Sequence, residues 1–260
     1  MSMLDCHVSH RISYRCDGED GPAVLLFNGA GLPFTFWGTL ATRLAAHCRV
    51  VRFDQRNAGL TEYEGKFSLP DIAADAARVL DCLEIESACV VGHAWGGRVA
   101  QVFARDYPHR LRGLVICGTG GHFPPVDMGD WPGRLSDARR SEDRDAWELA
   151  LEAMFCAPGF RDRHPQRFSE VAEAAWPKPV ARGQWQPKIA PSESYWGRTS
   201  ARTLLIYGRH DKNGTPRNAY DLQQRLSAEL VMFEDAGHFV VREKEDEVLD
   251  LLSRFAAKTA

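Results

Sequence analysis

Three short stretches hold side chains suited to acyl transfer: GHAWGG at 92–97, GRHD ending at Asp211, and EDAGHF, which contains His238. An imidazole takes and returns protons near neutral pH, and a carboxylate fixes its tautomer and balances its charge. That pair serves a third group, a hydroxyl, thiol or carboxylate that attacks the substrate. Its expected place is the centre of GHAWGG, where the chain carries Ala94. Gly92, Gly96 and Gly97 leave the space that a sharp strand-to-helix turn needs. The frame of a nucleophile is therefore present without the nucleophile. Asp235 competes with Asp211 as the acid, but it shares a loop with His238 and is poorly placed to orient the ring.

Acyl transfer also needs two backbone N–H groups aimed at developing negative charge. Trp95 follows Ala94 directly and should open a helix, so its amide is one candidate. Ala30, in the FNGAG loop, is the other, with Gly29 and Gly31 allowing close approach of backbone to substrate. Gly29, Trp37, His122 and Trp185 are the further candidates for contact with substrate; for Trp37 and His122, as for Arg56 in a neighbouring loop, a structural role is the favoured reading. No metal set is expected.

These residues need a scaffold that brings strand ends together. Apolar runs alternate with amphipathic stretches, the pattern of parallel strands joined by crossover helices. Strands are expected at 23–27, 49–53, 87–91, 111–117, 203–207 and 229–233, with an antiparallel edge strand at 10–15. Helices are expected at 34–46, 71–84, 96–106, 216–227 and 243–257. Leu69, Ile72, Ala76, Val79, Leu80 and Leu83 repeat at three and four, and Pro70 and Asp71 suit a helix start.

The alternation breaks over 122–198, a stretch holding Trp131, Trp147, Trp176, Trp185 and Trp196 and at least one helix, at about 142–156. Two readings fit: a helical subdomain packed on its own aromatics, or a cap with some aromatics facing a ligand.

Composition narrows the class. With 260 residues and 44% hydrophobic content, one large core with an insertion is expected. Lys and Arg total 32 against 35 Asp and Glu, and the charges are interspersed, so nucleic acid and anionic membranes are not expected partners. No apolar run reaches the roughly 20 residues of a membrane span, and the start lacks a signal-peptide layout. A cytoplasmic protein binding a small-molecule substrate is expected, with its oligomeric state left open. Cysteines 6, 16, 48, 82, 89, 117 and 156 form an odd set without a CxxC pair, which reads as free thiols.

The turn, acid and base in this order, with the FNGAG loop, resemble the α/β-hydrolase family over nearly the whole chain. FDQRNAGLT (53–61) is similar to that family's D-x-R-x-x-G-x-S/T loop, and ARDYPHRLRGLVICG (104–118) to its helix and strand after the turn. The resemblance implies an α/β fold with a mostly parallel sheet of about eight strands, and a helical cap inserted after the sixth strand. The core would comprise 1–121 and 199–260, and the cap 122–198. It also implies hydrolysis through a covalent intermediate without a cofactor.

Two departures stand out: Asn28 and Gly29 replace a common His-Gly pair, and Ala94 replaces the nucleophile. Pro33 is misplaced for an epoxide hydrolase and Tyr195 is the cap's only tyrosine, so serine is favoured over aspartate as the missing group. The expectation is an ester or lactone hydrolase of the Ser-His-Asp kind whose serine has been exchanged to trap substrate. The alternatives are a natural nucleophile-less receptor or base-catalysed enzyme, and an epoxide hydrolase lacking its aspartate.

Overall fold

Strands covered by helices on both faces have no polar side to maintain, which is why the central runs hold consecutive apolar residues in place of a strict alternation. In the computed structural model, which describes residues 2–6, 10–176 and 195–259, they form β3 (Ala23–Phe27), β4 (Arg49–Phe53), β5 (Ala88–His93), β6 (Leu111–Cys117), β7 (Thr203–Gly208) and β8 (Glu229–Phe233). Two antiparallel strands, β1 (Ser2–Cys6) and β2 (His10–Asp17), extend one edge. The eight strands lie in the order β1-β2-β4-β3-β5-β6-β7-β8. The sequence predicted β2 but not β1, whose pairing of Ser2 with Tyr14 is a contact between separate segments.

The order carries the first functional consequence. From β3 the chain steps outward to β4, then returns across β3 to β5, so the carboxyl ends of β3 and β5 lie side by side with Phe27 opposite Gly92. Crevices at such reversals are where open α/β sheets bind ligands. Here the reversal brings the 28–31 loop against the turn after β5.

Helices α2 (Leu69–Cys82), α3 (Trp95–Asp106) and α8 (Pro216–Leu226) cover one face, and α1 (Gly38–Leu44) and α10 (Glu245–Lys258) cover the other. Ser68 caps α2 in a reciprocal pair with Asp71, which starts the helix two residues before the predicted position. The helix expected over 34–46 is divided: Phe34–Trp37 form a 3-10 turn, and α1 begins at Gly38, whose φ of 48° an L side chain resists.

Between β6 and β7 lie α4 (Trp131–Ser141), α5 (Arg144–Phe155), α6 (Phe160–Arg163) and α7 (Pro165–Ala175). Trp147 is buried and meets Trp176 edge-on at 5.0 Å, with the Arg144 guanidinium over both rings. Those two tryptophans belong to the apolar cluster that the inserted helices share with the sheet, α1 and α10. Trp196 is fully buried and donates from Nε1 to Asp221 of α8 at 2.8 Å. Cys16, Cys48, Cys82, Cys89, Cys117 and Cys156 are free thiols. Among the described residues, no helix is long and apolar enough to cross a membrane.

Candidate functional site

The turn between β5 and α3 is built from backbone packing. Ala94 stands at φ 51°, ψ −120°, a region costing a non-glycine residue about 1–3 kcal/mol. Its N–H donates to Cys117 O at 2.8 Å, and Gly97 N donates to Ala94 O at 3.0 Å. A Cβ on Gly92 would lie 2.5 Å from Gly96 O, and one on Gly96 would collide with the carbonyl oxygens of Phe27 and Asn28. Glycine is therefore required at both flanks, and the strained pedestal persists under a bare methyl group.

The acid and base meet at the ends of the next strands. Asp211, 2% exposed, follows β7, and its Oδ1 accepts from Asn213 N at 2.8 Å and Gly214 N at 2.7 Å. His238, 8% exposed, follows β8 and places Nδ1 3.0 Å from each Asp211 carboxylate oxygen. A carboxylate can only accept, so Nδ1 carries the proton and Nε2 is left as the basic nitrogen. Asp235, the competing acid, is instead exposed and paired with Lys244 at 2.6 Å, a hydrogen bond that holds its carboxyl below the usual range.

Two contacts connect the pedestal to that pair. Gly118, after Cys117, packs against Asp211 Oδ2 and His238 O. His93, directly before Ala94, donates from Nε2 to His238 O at 2.9 Å, and the two rings lie 5.2 Å apart. Burial, with His238 adding, pushes His93 down to about 3, so the ring is neutral; Phe36 stacks on it at 5.0 Å. Sequence reasoning missed His93 as a strut, although its place beside the turn residue was the available signal.

The loop after β3 is fastened by Asn28, which is fully buried. Its Nδ2 donates to Phe53 O at 2.9 Å, its Oδ1 accepts from Trp37 Nε1 at 2.8 Å, and its carbonyl accepts from Gln55 Nε2 at 2.8 Å. A Cβ on Gly29 would lie 3.2 Å from His93 Nδ1 and 3.5 Å from the Ala94 methyl carbon, so this loop leans on the pedestal. Ala30 follows at an exposed position. Trp95 is the first residue of α3, where amides lack intrahelical acceptors and the helix dipole is positive.

Three expected contacts fall elsewhere. Trp37 is fully buried and spends its N–H on Asn28, so it packs the core beneath the site instead of facing a ligand. His122 is exposed, with Nδ1 3.5 Å from Asp221 and its ring against Trp196, which ties it to α8. Arg56 is bound through two nitrogens to Asp75 at 2.6 and 3.0 Å and braces the neighbouring loop. Trp185 lies outside the described residues. Among the described residues, no group of three or more His, Cys, Asp or Glu is arranged to hold a metal ion.

One buried carboxyl near the site was not anticipated. Glu243, in α9 (Val240–Glu243), is 3% exposed and accepts from Ala157 N at 2.8 Å.

Known proteins resemble this chain at low identity. The profile of the alpha/beta hydrolase fold matches residues 22–245. The 2-hydroxy-6-oxo-2,4-heptadienoate hydrolase of Pseudomonas putida F1 is 27% identical, covering 91% of this chain and 90% of its own. The 2-hydroxymuconate semialdehyde hydrolase of Pseudomonas sp. CF600 is 26% identical, with 93% and 89% covered. Among solved structures, a serine-to-alanine mutant of CumD, the meta-cleavage product hydrolase of Pseudomonas fluorescens IP01, complexed with acetates, gives a TM-score of 0.70 at 25% identity, covering 96% of each chain. The enol-lactonase of Burkholderia xenovorans LB400 gives 0.78 at 23% identity, with 95% and 96% covered.

Proposed function

Because the chain belongs to the α/β-hydrolase fold family, we propose that its site takes the carbonyl group of a small carboxylic ester or lactone over Ala94, and that the chain as it stands binds this substrate without forming an acyl-enzyme. The observation that carries the reading is the Asp211–His238 pair, whose hydrogen bond through Nδ1 leaves Nε2 as the basic nitrogen, joined through His93 to the strained turn at Ala94. A serine hydroxyl at position 94 would attack the carbonyl while His238 Nε2 takes its proton. The proton then passes to the leaving group, and a water activated by the same nitrogen releases the acid. Trp95 N–H and Ala30 N–H are the oxyanion donors in this scheme. A methyl group cannot attack, and loss of such a nucleophile costs on the order of a million-fold in kcat.

The retained strain at Ala94 supports descent from a chain with a working side chain at that position. A serine-to-alanine exchange accounts for this with the fewest changes. A second reading rests on the same basic nitrogen: His238 activates a water directly, giving slow hydrolysis without a covalent intermediate.

The test is Ala94→Ser, assayed with activated esters, lactones and the 2-hydroxy-6-oxo-2,4-heptadienoate after which one relative is named. Ala94→Ser should raise turnover by several powers of ten on one substrate class, and His238→Ala should abolish the gain. Equal rates with Ala and Ser at 94 would reject nucleophilic hydrolysis. In that case, turnover lost on His238→Ala in the Ala94 chain would favour the water mechanism, and tight binding without turnover a receptor. Ala94→Asp with an epoxide panel tests the remaining alternative.

A further inference from the structure

Glu243 is a buried carboxyl that the scheme above does not use, and it occupies a junction. Its Oε2 accepts from Ala157 N at 2.8 Å, the Gly237 amide faces the same carboxyl, and Oε1 has no partner among the described residues. Ala157 lies two residues beyond the end of α5, and Gly237 immediately precedes His238. One side chain thus joins the inserted helices to the loop that carries the imidazole. The junction is tight in its other contacts as well. His238 N donates to Phe155 O at 2.7 Å, and the Phe155 ring lies 5.6 Å from the His238 ring. A Cβ on Gly237 would lie 2.6 Å from Ala157 N and 2.7 Å from Phe155 O.

We propose that Glu243 is a positioning residue, locking the end of α5 onto the His238 loop and adding a second negative charge, beside Asp211, to the surroundings of the imidazole. The inference rests on the reading of His238 as the base. The groups that face Glu243 are Asp211 from the loop after β7, His238 from the loop after β8, and Cys156, with Glu152 near it, from the end of α5. Its chain neighbour Arg242 is committed to Glu245, Glu170 and Trp37 O. Burial pushes the Glu243 carboxyl up to about 7; the Ala157 and Gly237 amides and His238 pull it down, and Asp211 adds to the rise. Above neutral pH the carboxylate is charged and accepts the Ala157 amide strongly. Below it, the charge and part of the acceptor strength are lost.

The test follows the junction amides by NMR in the chain with Ala94 unchanged, so it does not depend on turnover. In the parent, the amide resonances of Ala157, Gly237 and His238 should share one inflection near pH 7, that of the Glu243 carboxyl. In Glu243→Gln, which keeps the shape and one acceptor, that inflection should vanish from all three. Glu170→Gln, on the far side of Arg242, should leave it unchanged. In an Ala94→Ser background, Glu243→Gln should lower kcat about tenfold with KM little changed, because the base and not the substrate loses its support. Parent amides that do not titrate, or an inflection that survives Glu243→Gln, overturn the proposal. A lower Tm with the inflection absent from the His238 amide would mark a structural role only, and also overturns it. If Ala94→Ser has no activity, the titration still decides the role of Glu243.

Discussion

Asp211 faces His238 with both carboxylate oxygens, each 3.0 Å from Nδ1, while Oδ1 also accepts two backbone amides. The acid is thereby fixed from two sides, and the ring can rotate only by breaking a charge-assisted hydrogen bond. Asp211→Asn keeps the shape but places a donor where an acceptor is needed. In the Ala94→Ser background it should lower kcat on the order of 10⁴-fold. Steady-state kinetics checks this, and a loss under tenfold would show that Asp211 does not set the tautomer.

Ala94 occupies a backbone region that glycine adopts freely. Ala94→Gly should therefore stabilise the chain by about 1 kcal/mol, since relief of roughly 1–3 kcal/mol of strain exceeds the entropy glycine adds to the unfolded chain. Urea unfolding measures it. A loss of stability would mean that the turn at 94 is unstrained.

Asn28 makes two buried side-chain hydrogen bonds, to Phe53 O and from Trp37 Nε1. Asn28→Ala leaves both partners unsatisfied and should cost about 2–4 kcal/mol in urea unfolding. The loss should spread to the site, because the 28–31 loop abuts Ala94. Stability within 0.5 kcal/mol of the parent, roughly the scatter of a surface change, would contradict this role.

Glu243 has a folded-state value of about 7 against an ordinary 4.5. Its contribution to stability is complete below about 4.5 and is lost as the pH rises through about 7, because the folded chain holds a proton that the unfolded chain releases. The full penalty is on the order of 3 kcal/mol. Glu243→Gln should therefore gain Tm relative to the parent as the pH rises from 4.5 to 8. A Tm difference independent of pH would refute the shift.

The meeting of Asp211 and His238 was legible in the sequence because each lies in a loop after a strand, and parallel sheets bring such loops to one edge. β3, β4, β6 and β8 were legible for a related reason: apolar runs bounded by turns have few other solutions. For Trp37 and His122 the sequence favoured a structural role but left a pocket contact open, because an aromatic in a loop suits a core as well as a pocket. Only the contact with Asn28 in one case, and with Asp221 in the other, decides between them. His93 and Glu243 were missed because their partners, His238 O and Ala157 N, lie 145 and 86 residues away along the chain.

The inserted helices leave after β6 and return at β7, and these strands are direct neighbours, with Cys117 paired to Ile206. Departure and re-entry therefore fall at adjacent points on one rim of the sheet. A segment of different length or sequence can be spliced between them without shifting the strand register beneath. The inserted segment is an exchangeable part, and a transplant from a relative would need to reproduce the docking of Phe155 and Ala157 on the His238 loop and of Glu170 on Arg242 to inherit the same base.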